Sequence, residues 1–379
     1  MLVGVFMIIL RREFLMKLGI VGLPNAGKST LFNAIMQTGA EASNYPFSTV
    51  SPNVGRVPVP DERLGKLDEI YHAKEIVPTA IEMVDIAGLV KGSGRGEGLG
   101  NQFLSFIREV DALVHVVRCF HDENVTHVYD SIDPVRDIET VNLELVFADL
   151  EMIERRLLKT EKTARTDKSL LREMDILTKI KETLENGLPA RSIKWDDAEE
   201  QKFVESLTLI TQKPVLYAAN VSEDDIGKPS ENALMKALQD FARDEGTPLF
   251  VSCAKLEAEI ATLEPEEKEM FLEDMGINEN GLARLITAGY ELLGLISFLT
   301  AGPKEVRAWT IRRGLKAPKA AGKIHSDLER GFIRAEVVAY NDLIQAGSYN
   351  AAKEKGNVRI EGKEYIVQDG DVVLVRFNV

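Results

Sequence analysis

Nine residues, Gly22-Leu23-Pro24-Asn25-Ala26-Gly27-Lys28-Ser29-Thr30, constrain this chain more than any other stretch. They fit the pattern G-x-x-x-x-G-K-[ST]. Before them, Lys17-Leu18-Gly19-Ile20-Val21 reads as a short buried strand, and after them Thr30–Met36 reads as the start of a helix. A strand, a glycine-rich turn and a helix in that order make a cradle for phosphate. Glycines let the backbone fold back and aim its N–H groups inward. The helix N-terminus adds partial positive charge. Lys28 supplies a point charge for β- and γ-phosphates, and the Ser29 hydroxyl is placed to meet Mg²⁺. Asn25, Ala26, Gly27, Lys28, Ser29 and Thr30 are therefore candidate nucleotide-binding residues.

Further β-rich segments recur at Val54–Val59, Ala80–Val84, Ala112–Val117, Pro214–Ala219 and Pro248–Val251, with helical stretches between several of them. That alternation predicts an α/β fold: a P-loop NTPase domain with a mixed, mostly parallel sheet and helices on both faces. Ligands of such sheets bind beyond the C-terminal strand ends. From about 142 to 211 the pattern breaks. Leu143, Val146, Leu150, Ile153, Leu157, Thr160 and Ala164 recur at spacings of three and four, as do Leu170, Met174, Leu177, Ile180 and Leu184. The two stripes, split by Thr166-Asp167-Lys168, predict an antiparallel helical hairpin inserted in the nucleotide domain. Asn186-Gly187-Leu188-Pro189 closes it with a C-cap glycine and a proline. Either a plain structural arm or a partner-binding arm fits its charged outer face. Past Leu295, strand-like runs at Arg307–Arg312, Phe332–Ala339 and Val372–Phe377 alternate with turn glycines, which predicts a small, separate β-rich module.

Composition narrows the setting. The chain has 379 residues and a net charge of −14, which opposes indiscriminate binding to nucleic acid. Residues 297–379 carry 14 Lys+Arg against 10 Asp+Glu, a net +4 that leaves −18 on the remainder. A basic C-terminal module on an acidic body suits an approach to RNA, or a solvated mixed surface. Two cysteines, Cys119 and Cys253, form no disulfide framework and point to a reducing, cytoplasmic setting. The apolar run Leu2–Leu10 is too short to span a membrane, and its positive charges follow rather than precede it, unlike a secretory signal. Residues 1–15 read as an N-terminal extension, with Met16 directly before the first strand.

Asp85-Ile86-Ala87-Gly88 follows an apolar strand. Downstream of a phosphate loop, the Asp85 carboxylate suits Mg²⁺ and the Gly88 N–H suits the γ-phosphate. Thr49, between the two motifs, offers a second hydroxyl to the metal and would order its loop when γ-phosphate is present. Position 89 is Leu, where many GTPases carry a water-orienting glutamine. The glycine-rich run Gly92–Gly100 then predicts a loop that moves on nucleotide exchange. At the base, guanine-specific proteins use N-K-x-D, whereas this chain has Asn220-Val221-Ser222-Glu223. Glu in place of Asp crowds guanine, while Asn220 is expected to meet adenine with its amide, so ATP is expected over GTP. Ser252-Cys253-Ala254-Lys255 ends the next strand, where a loop closes over the base.

With these residues in hand, the chain resembles the Obg-like ATPases of the YchF subfamily, in the TRAFAC class, over roughly residues 16–379. Gly96–Phe103 and Asp369–Val372 carry the likeness further. The resemblance implies an OBG-type nucleotide domain over 16–295, a coiled-coil insert, and a C-terminal TGS domain of β-grasp fold over 296–379. It also implies ATP hydrolysis in preference to GTP, and association with ribosomes. A loop histidine takes over from the missing glutamine in such proteins, which falls here on His127, whereas His115 reads as packed within a strand. Asn25 resembles the asparagine of potassium-stimulated members, which makes K⁺ a second expected cofactor beside Mg²⁺. The expected protein is a cytoplasmic, membrane-free, Mg²⁺-dependent ATPase that acts as a switch near the ribosome. A GTP-specific ribosome-assembly GTPase and a regulatory scaffold with incidental hydrolysis are the alternatives.

Overall fold

A computed structural model describes residues 16–37, 41–42, 53–86, 98–164, 167–226, 228, 232–274 and 281–378. The expected extension 1–15, Thr49 and the 87–97 segment with Gly88 and Leu89 lie outside the described residues.

Among the described residues thirteen strands form two sheets. The first joins β1 (Lys17–Val21), β2 (Glu41–Ala42), β3 (Asn53–Pro58), β5 (Ala80–Asp85), β6 (Ala112–Arg118), β7 (Val215–Asn220) and β8 (Leu249–Ser252) in the order β2-β3-β5-β1-β6-β7-β8. Five of its strands, from β5 to β8, run parallel, and β3 and β2 are antiparallel at one edge. Strands buried on both faces read as continuous apolar runs, which is why β6 is buried along its whole length. One face packs Leu18, Ile20, Met83, Val114 and Leu216 against helices Lys28–Gln37, Ala254–Ala261 and Gly281–Leu292. The other packs Val21, Leu113, Val117 and Tyr217 against Gly98–Glu109, Pro134–Ala164 and Ala233–Glu245. This is the P-loop NTPase fold with its mixed, mostly parallel sheet.

The helical insert begins earlier than its apolar stripe indicates. Its first helix runs Pro134–Ala164, opening on a proline at the first helical position, where the absent N–H costs nothing. Asp133 caps it by accepting from Arg136 N at 3.1 Å. A second helix, Leu171–Glu185, packs back on the first through Val146, Ile153, Ile176, Leu177, Ile180 and Leu184. Leu143 is the exception in the stripe and stays 41% exposed. Gly187 ends the second helix at φ +75°, in the left-handed region that suits glycine.

The second sheet has the order β12-β11-β13-β9-β10-β4, with β4 (Ile76–Val77), β9 (Leu295–Ala301), β10 (Val306–Arg312), β11 (Phe332–Ala339), β12 (Arg359–Glu361) and β13 (Asp371–Phe377). It is the β-grasp-like C-terminal unit, but it is not separate. β4 lies between β3 and β5 in the chain, yet pairs in parallel with β10. Helix Glu62–Tyr71 buries Leu64 and Leu67 against Leu299, Val306, Val338 and Val372. Arg63 binds both Asp61, which also caps that helix, and Asp369, with Nη1 2.8 Å from Asp369 Oδ2. The β3–β5 connection is thus a structural part of the C-terminal unit.

Candidate nucleotide site

The phosphate loop owes its shape to three left-handed or glycine-only conformations: Gly22 at φ +148°, Asn25 at +60° and Gly27 at +98°. A Cβ on Gly22 would collide with Val116 O, and one on Gly27 with Asn220 Nδ2. Only glycine serves at these two positions. Lys28 opens the following helix and is 7% exposed, its Nζ donating to Leu23 O at 2.6 Å. Burial pushes its ammonium down to about 8, a shift the nearby Asp85 partly offsets. Ser29 Oγ donates to Asp85 Oδ2 at 3.1 Å. Burial pushes the Asp85 carboxyl up, opposed by that bond and by Lys28. Its second oxygen, Oδ1, is buried without a hydrogen bond among the described residues.

The loop opens on a cavity of about 620 Å³ beyond the C-terminal strand ends, large enough for a nucleotide. Asn25, Gly27, Lys28, Ser29 and Thr30 line one side, and Asn220, Val221, Glu223, Cys253 and Ala254 another. Val221 N donates to Ser252 O at 2.9 Å, which fixes the two base-side loops to each other. Burial pushes the Cys253 thiol up. Glu223 Oε1 pairs with Lys255 Nζ at 2.7 Å on the rim.

Two expected site residues are engaged by other partners in this structure. The Asn220 amide is not free for a base. Its Nδ2 donates to Ala26 O at 2.9 Å and its Oδ1 accepts from Ala254 N at 2.9 Å. It is 5% exposed and pins the phosphate loop to the base loop. His127 is not brought to the cavity. Its Nε2 donates to Asp137 Oδ2 at 2.8 Å and its Nδ1 accepts from Tyr129 N at 3.2 Å, so both ring nitrogens are engaged. His115 is packed in β6, as expected, and edge-on to Tyr217.

Sequence reasoning missed the third wall of the cavity, formed by Phe120, His121, Asp122 and Val125. It also missed Arg118, which closes β6 and holds that wall from behind. The available signal was a lone arginine ending a strand that is apolar apart from His115. Asn25 Nδ2 reaches across to the same wall, donating to Thr126 O at 3.2 Å.

Among the described residues no cluster of three or more His, Cys, Asp or Glu forms a metal site, and no helix is long and apolar enough to cross a membrane. The first point is in keeping with magnesium sites built from one carboxylate, hydroxyls and substrate phosphates.

The profile of a family described as 50S ribosome-binding GTPase matches residues 17–153, and that of the YchF-GTPase C-terminal family, described as a protein of unknown function, matches residues 295–378. The ribosome-binding ATPase YchF of Bacillus subtilis is 58% identical over 362 residues, covering 95% of this chain and 99% of the relative. Its counterpart in Escherichia coli O157:H7 is 49% identical, with 96% and 99% coverage. The solved structure of the Schizosaccharomyces pombe YchF GTPase superposes with a TM-score of 0.84 at 37% identity, covering 95% of this chain and 97% of that one. Fold, phosphate loop and near full-length similarity agree: this chain belongs to the YchF subfamily of Obg-like P-loop nucleoside triphosphatases.

Proposed function

We propose that this protein is a ribosome-binding ATPase that holds MgATP in the cavity beside the phosphate loop and hydrolyses it slowly as a switch. The observation that carries this reading is the convergence on one cavity of the phosphate loop and the Glu223 rim, with the Ser29–Asp85 pair beside the loop. Relatives named ribosome-binding ATPases, similar over nearly their whole length, support the partner.

Lys28 and the phosphate-loop amides would bind the β- and γ-phosphates, with the Gly88 N–H adding a donor. The residues present fit Mg²⁺: among the described residues Asp85 Oδ1 is buried and unsatisfied next to the Ser29 hydroxyl, and Thr49 would supply another hydroxyl. When bound, Mg²⁺ neutralises phosphate charge. Asn25 Oδ1 is the atom a K⁺ ion would take, since Nδ2 is directed at Thr126. Equal turnover in Na⁺ and K⁺ buffers would remove that ion from the account.

Base choice follows from the rim. An aspartate in N-K-x-D offers guanine both carboxylate oxygens. Glu223 already gives one oxygen to Lys255, which leaves a single acceptor. One acceptor suits the single exocyclic amine of adenine better than the paired donors of guanine. Val221, Ser252, Cys253 and Ala254 form the remainder of the seat, and Asn220 braces it. The chain divides, in this reading, into a nucleotide domain over 16–295 with its helical insert and a TGS domain over 296–379. Residues 62–77 of the first are built into the second. The net +4 of the C-terminal unit supports contact with ribosomal RNA.

His127 would orient the attacking water after leaving Asp137. Its engaged ring is the one observation that favours a second reading, a scaffold shaped by ATP with incidental hydrolysis. His127→Ala separates them. Assisted hydrolysis predicts a kcat loss of about 100-fold, at the lower end for a lost acid–base group, with ATP affinity unchanged. Cellular function that survives while hydrolysis stops would leave the scaffold, and an unchanged kcat would remove His127 from the chemistry.

A further inference from the structure

Arg118 ends β6 two residues before Phe120 of the cavity wall and is 2% exposed. A buried guanidinium normally meets a carboxylate, but this one is spent on main-chain carbonyls of a single loop. Its Nε donates to Phe120 O at 3.2 Å, Nη1 to Val125 O at 3.0 Å and Thr126 O at 3.4 Å, and Nη2 to Asp122 O at 3.2 Å. The guanidinium carbon lies 4.6 Å from the centre of the Phe120 ring. The 120–126 loop has no ladder partner of its own, and Arg118 stands in for one. Phe120, Asp122 and Val125, three of the four residues bound or stacked by it, face the cavity. Thr126 O is shared with Asn25 of the phosphate loop, at 3.2 Å.

Each carbonyl drawn onto Arg118 sets the direction of the next N–H, because a trans peptide places the two on opposite sides. The loop therefore turns the N–H groups of His121, Glu123, Thr126 and His127 away from the guanidinium. Removing the fork takes a donor from four carbonyls at once and with it the orientation of the wall, leaving Asp122 O with Val125 N and Thr126 O with Asn25 Nδ2.

We propose that Arg118 is a positioning residue that shapes the 120–126 wall of the cavity for the nucleoside end of ATP, acting through that loop rather than by touching ligand. The proposal rests on the reading of this cavity as the ATP site, and its test separates the two. Full-length wild type, Arg118→Met and Arg118→Lys are titrated calorimetrically with MgATP and with magnesium pyrophosphate. Amide hydrogen exchange is recorded in parallel.

Arg118→Met is expected to weaken ATP by about tenfold or more, the scale of 1.4 kcal/mol. Pyrophosphate, which needs only the phosphate loop, should bind within about twofold of wild type, and faster exchange should be confined to 119–127. Arg118→Lys, which keeps the charge but not the fork, should fall between. Equal weakening of ATP and pyrophosphate, or exchange rising throughout the sheet, would mean a purely structural residue and overturn the proposal. Wild-type ATP affinity in both variants would overturn it as well. A wild type that binds pyrophosphate but not ATP would overturn the reading of the cavity, and the proposal with it.

Discussion

Asn220 shows how one amide holds two loops in register. Both of its ends are buried and bonded, to Ala26 O and Ala254 N. Asn220→Ala leaves these two groups unpaired, and each unsatisfied buried group costs about 1–3 kcal/mol. We expect a stability loss of about 2–4 kcal/mol by chemical denaturation, together with weakened binding of ATP and GTP alike. A loss of one nucleotide only would show a direct base contact. His115 makes a second prediction at this scale. Burial, with help from Arg191 and Lys28, holds its pKa at about 3 instead of 6.5. The folded chain keeps this ring neutral while the unfolded chain protonates it below 6.5. Its contribution is thus intact above pH 6.5 and is lost progressively as pH falls from 6.5 towards 3, by up to about 1.4 kcal/mol per pH unit. In His115→Gln the slope of stability against pH between 6 and 4 should be shallower. An unchanged slope would contradict the burial argument.

At the scale of elements, the first sheet was legible because each of its main strands is a compact apolar run bounded by turn residues. β1, β5, β6, β7 and β8 all fall within a residue or two of their expected positions. The hairpin stripes were legible for the same reason, whereas the start at Pro134 was missed because Ile138 and Val141, at spacing three, belong to a different stripe that packs on the sheet rather than on the second helix. β4 was not legible at all. Two residues, Ile76 and Val77, hold no periodicity, and their partner β10 lies far along the chain. Nor does sequence spacing reveal whether a side chain points into a cavity, so Asn220 and His127 were found as motif positions while their bonding was not. The β3–β5 connection yields its own prediction. Arg63 joins Asp61 to Asp369, which ties helix Glu62–Tyr71 to the turn before β13. Arg63→Ala should cost about 1.5–3 kcal/mol, the range for charge-assisted hydrogen bonds. Amide exchange should rise in 295–312 and 369–377 but not in β6 or β7. A uniform rise would show that the two sheets unfold as one unit irrespective of this bond.

Across the whole molecule, the two sheets meet at a meaningful place. β3 and β5 flank the helix and strand that the C-terminal unit has absorbed, and β5 ends on Asp85. Whatever shifts these strands shifts the mount of the basic unit, which gives a physical route from phosphate to a partner surface. Charge separation between an acidic body and that unit implies salt-sensitive association with ribosomes. Co-sedimentation should weaken steeply between about 50 and 200 mM KCl, as counterion release requires. In the proposed function one cavity takes a magnesium-bound triphosphate and seats adenine in preference to guanine. Calorimetric titration of the full-length protein with MgATP and MgGTP tests it most directly. Saturable ATP binding that is lost in Lys28→Ala, with GTP weaker, is the result predicted here. Absence of ATP binding at millimolar concentration, or GTP tighter by about 100-fold (roughly 2.7 kcal/mol), would contradict it.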